Sequence, residues 1–215
     1  MKITKYVHAC VLVEDGEQTA LFDPGQFSYE SGLLKLNDIK KLDFVCITHE
    51  HFDHFYEPFI KEIIGKFSNV IFYTNKSVAK KLENLGATNI KTESDNVVDI
   101  RGLEHQSMAP LAPLPMCENI EIHYKGIISH PGDSQKMQKS LGKILFVPLA
   151  GPWGAPIEGI RMADRLKPQY ILPIHDWMWN DQWRRTMYDR METYFKSQNI
   201  TVLKPVDGQT IEVNI

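Results

Sequence analysis

A histidine-rich heptapeptide constrains this chain more than any other feature. Residues 48–54 are Thr-His-Glu-His-Phe-Asp-His, and they directly follow the apolar, β-type run 44–47. Imidazole and carboxylate groups are the ligands that borderline divalent cations such as Zn²⁺ take. The sequence therefore predicts a metal site that includes His49, His51, Asp53 and His54, in preference to a polar loop with incidental histidines.

Composition is that of an ordinary globular chain, with 215 residues, 43% of them hydrophobic and 24% charged. The net charge of −3 argues against a nucleic acid or an anionic membrane held by bulk electrostatics. No apolar run approaches the roughly 18 residues of a membrane-spanning helix. We expect a small-molecule substrate, no nucleic-acid partner and no membrane partner, and we leave homo-oligomerisation open.

The cysteines and the N-terminus indicate the compartment. Cys10, Cys46 and Cys117 are far apart, form no CxxC pair and are odd in number, which suits a reducing environment. We interpret all three as buried small hydrophobic residues, of which Cys46 alone lies near the heptapeptide. The first eight residues contain no signal-peptide apolar region, so the expected location is cytoplasmic.

Short apolar runs alternate with helical patterns along the whole chain. Each half begins as a meander and continues as alternating strands and helices, so we expect one α/β domain over residues 1–215 with two mixed sheets flanked by helices. The final segment, 202–213, resembles a hairpin around Asp207-Gly208. Strands are predicted at 3–7, 10–14, 19–22, 43–47, 70–73, 89–92, 97–103, 119–124, 126–130, 144–149 and 170–174, and helices at 33–41, 58–66, 77–86, 134–141, 156–166 and 181–197.

Ligand spacing in the heptapeptide favours two metal ions over one. His49 and His51 can point the same way from an extended segment, whereas Asp53 and His54 lie past a bend and suit a neighbouring position. Two ions a few ångströms apart would share a bridging water. Further ligands are expected at other strand ends, where the chain offers His105, Asp133 and His175.

In this pattern the chain resembles the metallo-β-lactamase superfamily over essentially its whole length. The signature His-x-His-x-Asp-His is present as residues 49–54, and Asp23, His105, Gly132-Asp133 and His175 follow in the family's order. The segments 7–10, 130–133 and 172–175 look closest to the branch of ascorbate-6-phosphate lactonase-like and N-acylphosphatidylethanolamine phospholipase D-like proteins. The resemblance implies an αβ/βα sandwich of two mixed sheets flanked by helices.

The same resemblance implies a role for each site residue. His49, His51 and His105 would hold one metal, Asp53, His54 and His175 the other, and Asp133 would bridge both. Asp23 would orient a ligand histidine without binding metal. Histidine at position 51, where flavodiiron relatives usually carry glutamate, favours hydrolysis over redox chemistry. Zinc is the expected metal, with manganese or iron as alternatives.

Several residues keep a second interpretation. His123 and His130 compete with His105 as the third ligand of the first metal. His8 and His130 could line the pocket, as groups that touch substrate or support a ligand, or could be structural. Asp133 could be an ordinary turn aspartate, and His175 a core histidine.

The expected function is hydrolysis by a metal-bound hydroxide in a dinuclear site, on a small ester, lactone or phosphodiester. Asp53 would ligate metal and receive the nucleophile's proton. The alternatives are a nuclease-type phosphodiesterase of the same fold and a non-catalytic metal-binding sensor or scaffold. Two segments could border the substrate, namely the apolar stretch 109–116 as a lid and the tryptophan-rich region 153–183 as a wall, although a simple connection and ordinary packing explain them equally.

Overall fold

The structure, a computed structural model, describes residues 1–16, 18–111 and 116–215 of the chain. Two compact units divide these residues: residues 1–95 with 205–215, and residues 96–204. Glu17 and residues 112–115 of the proposed lid lie outside the described residues.

The first unit contains a seven-stranded mixed sheet. Its first three strands and the last strand of the chain pair antiparallel, and the following strands pair parallel. The order across the sheet is β13-β1-β2-β3-β4-β5-β6. The elements are β1 (Lys2–Lys5), β2 (Val11–Glu14), β3 (Thr19–Phe22), α1 (Gln26–Ser31), β4 (Phe44–Cys46), α2 (Glu57–Lys66), β5 (Ile71–Tyr73), α3 (Lys76–Asn84), β6 (Ile90–Lys91) and β13 (Thr210–Glu212).

Helices α2 and α3 cover one face of this sheet because their apolar residues recur at helical spacing. Phe59, Ile60 and Ile63 of α2 are buried in the same cluster as Val78 and Leu82 of α3. Asn75 caps the start of α3, since its side chain accepts a hydrogen bond from the backbone N–H of residue 78 at 2.8 Å.

The second unit repeats the plan with a six-stranded mixed sheet. Two antiparallel pairings come first along the chain, and three parallel pairings follow. The order across the sheet is β12-β11-β10-β9-β8-β7. The elements are β7 (Val98–Gly102), β8 (Ile120–Tyr124), β9 (Ile128–His130), β10 (Ile144–Pro148), α4 (Pro156–Leu166), β11 (Tyr170–Ile174), α5 (Asp181–Lys196) and β12 (Thr201–Val202).

The core of the second unit lies between its parallel strands and the two long helices. Met162 and Ala163 of α4 and Tyr188, Met191 and Phe195 of α5 are buried against residues of the strands β10–β12. The bounds of α4 and β11 match the predicted ranges, because a proline at the first turn and a buried apolar run mark these elements strongly. The predicted class, α/β with two mixed sheets flanked by helices, is confirmed.

The helix predicted at 33–41 is wrong. The segment forms only a short 3-10 turn, Leu36–Asp38, and the helix of this region is α1. Leu34 and Ile39 are both buried in the core cluster, and a spacing of five residues does not lie on one helix face. Gly32, with a left-handed φ of 64°, ends α1 and is the signal that the sequence offered.

The helix predicted at 134–141 is also wrong, because tertiary contacts occupy its polar groups. The Gln135 side chain donates to the carbonyls of Pro148 and Ala155 at 2.9 and 3.1 Å. The carbonyl of Met137 accepts from the Arg165 guanidinium at 2.8 Å. These bonds hold the segment in an irregular conformation that local propensity does not predict.

The hairpin predicted at 202–213 is wrong as well. β12 pairs parallel with β11 in the second unit, and β13 pairs antiparallel with β1 in the first. Asp207-Gly208 is still a turn, but its partner is β1: the Gly208 N–H donates to the Lys5 carbonyl at 2.8 Å. The turn was predicted correctly from its residues, but the strands that it connects were not.

Candidate metal centre

In the first unit, the predicted site residues lie at one edge of the sheet. β3 and β4 are parallel neighbours, so Asp23 after β3 and the heptapeptide after β4 leave the sheet at the same end. β1 runs in the same direction, since β2 is antiparallel to both β1 and β3, and His8 follows it. Strand ends that share an edge bring residues distant in sequence together.

The Asp23 carboxylate anchors the start of the heptapeptide. It accepts hydrogen bonds from the Thr48 N–H at 2.8 Å, from the Thr48 hydroxyl at 2.9 Å and from His54 Nδ1 at 2.7 Å. Asp23 is fully buried. A buried carboxylate with three donors holds both of its partners in fixed orientation.

These bonds also decide which ring nitrogen of each histidine carries a proton. His54 Nδ1 must donate, because its partner is a carboxylate. The Thr48 hydroxyl gives its proton to Asp23, so it accepts from His49 Nδ1 at 3.0 Å. Both rings therefore present the lone pair of Nε2, which is the form that binds a metal.

Asp53 lies between two histidines. Its Oδ2 is 3.0 Å from His8 Nε2 and 3.9 Å from His54 Nε2. One ligand atom from each of the three residues lies within 4.8 Å of the others. Two ligand atoms bound at about 2.1 Å to one tetrahedral ion are about 3.4 Å apart, so this grouping fits a divalent cation.

The remaining heptapeptide residues point in different directions. The His51 ring packs edge-on against His49, with centroids 4.8 Å apart. Glu50 turns away, accepting a hydrogen bond from Ser77 at 2.8 Å and pairing with Lys81 at 3.1 Å. Partial burial raises the pKa of Glu50, but these two partners outweigh it and leave the pKa below its usual value. Glu50 thus fastens the loop to α3 and stays ionised.

In the second unit, the predicted residues again follow strands that run in one direction. β9, β10 and β11 are parallel, and β7 shares their direction because β8 is antiparallel to both β7 and β9. His105, Asp133 and His175 come after β7, β9 and β11 respectively. The Gln106 N–H also donates to the Asp133 carbonyl at 2.7 Å, which joins two of these loops.

Asp133 occupies the middle of this group. Its Oδ1 is 3.0 Å from His175 Nε2, and its Oδ2 is 3.6 Å from His105 Nε2. One carboxylate oxygen of Asp133 therefore faces each of the two histidines. Two ligand atoms of one ion are roughly 3.4 Å apart, and this value lies between the two observed distances.

His105 and His175 have the same proton arrangement as His49 and His54. Nδ1 of His105 donates to the Gln106 carbonyl at 2.7 Å, and Nδ1 of His175 donates to the Ala150 carbonyl at 2.5 Å. A carbonyl can only accept, so the lone pair of each ring is on Nε2. In both rings Nε2 is the nitrogen that faces Asp133.

The two competing histidines differ from His105 in this respect. His130 Nδ1 accepts from the Gly132 N–H at 3.0 Å, so the neutral ring carries its proton on Nε2. His123 uses both nitrogens, with Ser129 Oγ at 2.8 Å and a Glu121 carboxylate oxygen at 3.1 Å. These contacts favour His105 over His123 and His130 as a metal ligand.

Backbone conformation singles out three of the predicted site residues. His8, Asp23 and His175 have positive φ values of 65°, 41° and 59°. Such angles are uncommon for residues other than glycine and concentrate at functional sites. Each of the three directly orients, or is, a candidate ligand.

The sequence analysis assigned no role at the metal site to three residues that lie near the candidate ligands. Thr48 relays the hydrogen bond between His49 and Asp23. The Trp153 indole N–H donates to Asp133 Oδ2 at 3.1 Å. Cys117 is half-buried and its sulfur lies within 4.8 Å of a His105 ring nitrogen, so the prediction that it is a buried hydrophobic residue is wrong. No local motif marks Trp153 or Cys117, whereas Thr48 directly precedes the signature.

The candidate ligands of each unit therefore fit a divalent cation by donor type, proton arrangement and separation. Within the part of the chain that the structure describes, no helix combines the length and apolar character needed to cross a bilayer.

Comparison with known proteins agrees with this chemistry. A family model described as a beta-lactamase superfamily domain matches residues 2–175. Protein Rv0786c of Mycobacterium tuberculosis is 27% identical over 184 residues, which cover 81% of this chain and 84% of that protein.

Solved structures share the fold at low identity. Igni18, a metallo hydrolase from Ignicoccus hospitalis, superposes with a TM-score of 0.70 at 18% identity, covering 99% of each chain. An isothiocyanate hydrolase from Delia radicum gut bacteria gives 0.68 at 19% identity, also with 99% of each chain covered. CmlA, a diiron β-hydroxylase from Streptomyces venezuelae, gives 0.64 at 15% identity over 99% of this chain and 54% of CmlA.

Proposed function

Because the chain belongs to the beta-lactamase superfamily, we propose that it is a metal-dependent hydrolase that binds two divalent ions, of which zinc is the expected metal. The proposed ligands come from both units, and their division between the ions follows the resemblance of the sequence to that superfamily. His49, His51 and His105 would hold one ion, Asp53, His54 and His175 would hold the other, and Asp133 would be a ligand of both.

The observation that carries the proposal is the common proton arrangement of four histidines. In His49, His54, His105 and His175, Nδ1 donates to a protein oxygen. Metal-binding histidines have this arrangement, because the bond at one nitrogen fixes the lone pair on the other. Core histidines such as His123 and His130 show that the fold does not impose it on every buried ring.

The residues of the site have separate tasks in hydrolysis. Divalent ions supply Lewis-acid polarisation and an activated water at neutral pH when bound. Asp53 keeps one carboxylate oxygen 3.0 Å from His8, which is placed to stabilise the charge of Asp53 or to take up a proton from it. Trp153 restrains Asp133, and Asp23 restrains His54, so the ligand positions are held before substrate arrives.

The proposed substrate is a small ester, a lactone or a phosphodiester, and the proposed branch is the ascorbate-6-phosphate lactonase-like and phospholipase D-like one. The similarity in fold to the isothiocyanate hydrolase adds isothiocyanates to the compounds that need testing. Manganese and iron remain alternatives to zinc, the second supported by the fold shared with a diiron enzyme.

We further propose that both units act as one domain in the reducing cytoplasm. The matched family model runs from residue 2 to residue 175 and so crosses the boundary between the units at residues 95 and 96. All three cysteines are thiols, which suits a reducing compartment.

The test combines metal analysis with a substrate screen. The purified protein is assayed for bound zinc, manganese and iron, and then for hydrolysis of lactones, thioesters, isothiocyanates and bis-p-nitrophenyl phosphate. Asp53→Asn should lower kcat by about 100-fold or more on any substrate found, because it removes a ligand and a proton acceptor.

Asp43→Asn is the matched control, since Asp43 also accepts a backbone N–H, from Thr19 at 2.9 Å, but lies at the opposite end of β4 from the heptapeptide. Its activity should stay close to that of the unaltered protein. A protein that purifies without metal and whose activity is unaffected by Asp53→Asn would refute the proposal.

A further inference from the structure

We propose that Cys117 is a ligand of the metal ion that His105 holds, and that its sulfur makes this position select zinc over manganese. The inference rests on the proposed function, because it assumes that His105 binds metal. Neither the superfamily signature in this sequence nor the ligand set that it implies includes a cysteine at this point of the chain.

The first observation is the position of the thiol. Cys117 precedes β8 and is half-buried, unlike the fully covered Cys10 and Cys46. Its sulfur and a ring nitrogen of His105 lie within 4.8 Å of each other. For a tetrahedral zinc with Zn–S of about 2.3 Å and Zn–N of about 2.0 Å, the sulfur and nitrogen are about 3.6 Å apart, and about 4.3 Å in the linear limit. The upper bound of 4.8 Å is close to these separations, so the two atoms are placed near enough to share one ion.

The second observation is the orientation of His105. Its Nδ1 donates to the Gln106 carbonyl, so the lone pair is on the Nε2 that also faces Asp133 at 3.6 Å. The side chain is fully buried, and the Cys117 sulfur lies within 4.8 Å of one of its ring nitrogens. His105 is therefore the shared neighbour of an Asp133 oxygen and of the Cys117 sulfur, which a solitary cysteine would not show.

A third observation explains why Cys117 is held there. The Asn119 amide donates to the carbonyls of Leu103 and Pro131 at 3.0 and 3.1 Å, and its oxygen accepts from the Asp133 N–H at 3.2 Å. Asn119 therefore joins the segment of Cys117 to the loops that carry His105 and Asp133. These bonds fix the chain two residues after Cys117 to both loops that carry candidate ligands.

The chemical consequence concerns metal choice. Thiolate is a soft ligand that favours zinc, whereas manganese prefers carboxylate, carbonyl and water. On binding, the thiol releases its proton to solvent, so zinc uptake is accompanied by proton release from this residue. Without Cys117, a site with only nitrogen and oxygen ligands would discriminate less between zinc and manganese.

The experiment uses Cys117→Ser with cobalt as a spectroscopic probe and zinc against manganese as a competition. The cobalt-loaded protein should show a sulfur-to-cobalt charge-transfer band in the near ultraviolet, and Cys117→Ser should lose it. The same variant should bind zinc at least roughly tenfold more weakly while its manganese affinity changes little, since only the soft ion depends on sulfur. Serine keeps the shape of cysteine at a half-buried position, so folding should be preserved.

Two further variants separate the possible outcomes. Cys10→Ala, at a buried thiol outside the candidate ligands, should keep the band. His105→Ala should lower metal content if the proposed ligand set is right. If His105→Ala loses metal while Cys117→Ser leaves the band and the zinc preference unchanged, Cys117 is not a ligand and the proposed function stands. If the unaltered protein binds no metal, both proposals fail.

Discussion

Replacement of Gly25 by alanine tests whether the position of the heptapeptide depends on one close backbone contact. A Cβ at residue 25 would lie 1.7 Å from the carbonyl oxygen of Asp53, 2.1 Å from its carbonyl carbon and 2.7 Å from the nitrogen of His54. Since non-bonded heavy atoms need roughly 3.3 Å or more, the peptide between two candidate ligands must move by about 1.5 Å.

The cost follows from what that movement breaks. Overpacking in a well-packed region costs about 1–3 kcal/mol. Two backbone hydrogen bonds flank the contact, from Gln26 N to the Phe52 carbonyl at 2.8 Å and from Tyr56 N to the Pro24 carbonyl at 3.3 Å. Each contributes about 1 kcal/mol, so Gly25→Ala should lower the free energy of unfolding by about 3–5 kcal/mol. For a chain of this size the melting temperature should fall by about 6–20 °C.

Gly25→Ala should reduce the metal affinity by a larger free energy than it reduces the folding stability. Metal sites tolerate ligand displacements of only about 0.2 Å, so a shift of the Asp53–His54 peptide by over an ångström should remove most of the affinity of these two ligands. Thermal unfolding of the metal-free protein isolates the packing cost, and zinc titration by calorimetry measures the loss of affinity.

Gly65→Ala is the matched control in the same unit. Gly65 is in α2 and a Cβ there meets nothing within 4 Å. Alanine should stabilise this helix by about 0.5–1 kcal/mol. If Gly25→Ala melts within about 1 °C of the unaltered protein and binds zinc normally, the contact does not position the loop and the reasoning is refuted.

Three other predictions test single interactions. In either orientation, the side-chain amide of Asp23→Asn places an N–H donor against a donor of Thr48 or His54. The variant should therefore shift the proton of His54 to the other ring nitrogen or lose the hydrogen bond to His54, and zinc binding measured by calorimetric titration should weaken by about 10–100-fold. An unchanged zinc affinity would contradict this prediction. Tyr188→Phe removes the hydroxyl that donates to the buried carboxylate of Asp176, so urea denaturation should show a loss of about 1–3 kcal/mol, and a change below about 0.5 kcal/mol would argue against the bond. Burial raises the pKa of the Cys10 thiol from 9.0 to about 12. Between these pH values only the unfolded thiol ionises, so the free energy of unfolding should fall as the pH rises above 9, and it should fall less in Cys10→Ala. Equal slopes of unfolding free energy against pH for the two proteins would contradict the assignment.

Local patterns in the sequence determined much of the fold. The run 44–47 and the apolar spacing of 156–166 predicted elements that the structure contains almost residue for residue. Such features depend on neighbours in the chain, because periodicity and capping act within a few residues. The heptapeptide belongs to this class, since all of its candidate ligands lie within six positions.

Other features depended on partners far away in sequence. Segment 134–141 has a helical composition, yet its Gln135 and Met137 form hydrogen bonds with distant residues. The partners lie in β10, in α4 and at Ala155, which directly precedes α4. The turn at 207–208 was recognisable, but only strand pairing decided that it leads to β1 and not back to β12. Local propensity is a weak term beside such contacts.

The sequence by itself determined that this chain carries metal-type ligands at the ends of its strands, and in which order. The tertiary structure decided which ring nitrogen is exposed for binding in four candidate ligands, His49, His54, His105 and His175. It also gave His105 hydrogen bonds unlike those of His123 and His130, and brought Trp153 and Cys117 close to candidate ligands. The reason is physical: a hydrogen bond or a ligand separation is a distance between two atoms, and for residues on different strands that distance is set by sheet order and loop packing. No spacing along the chain encodes it.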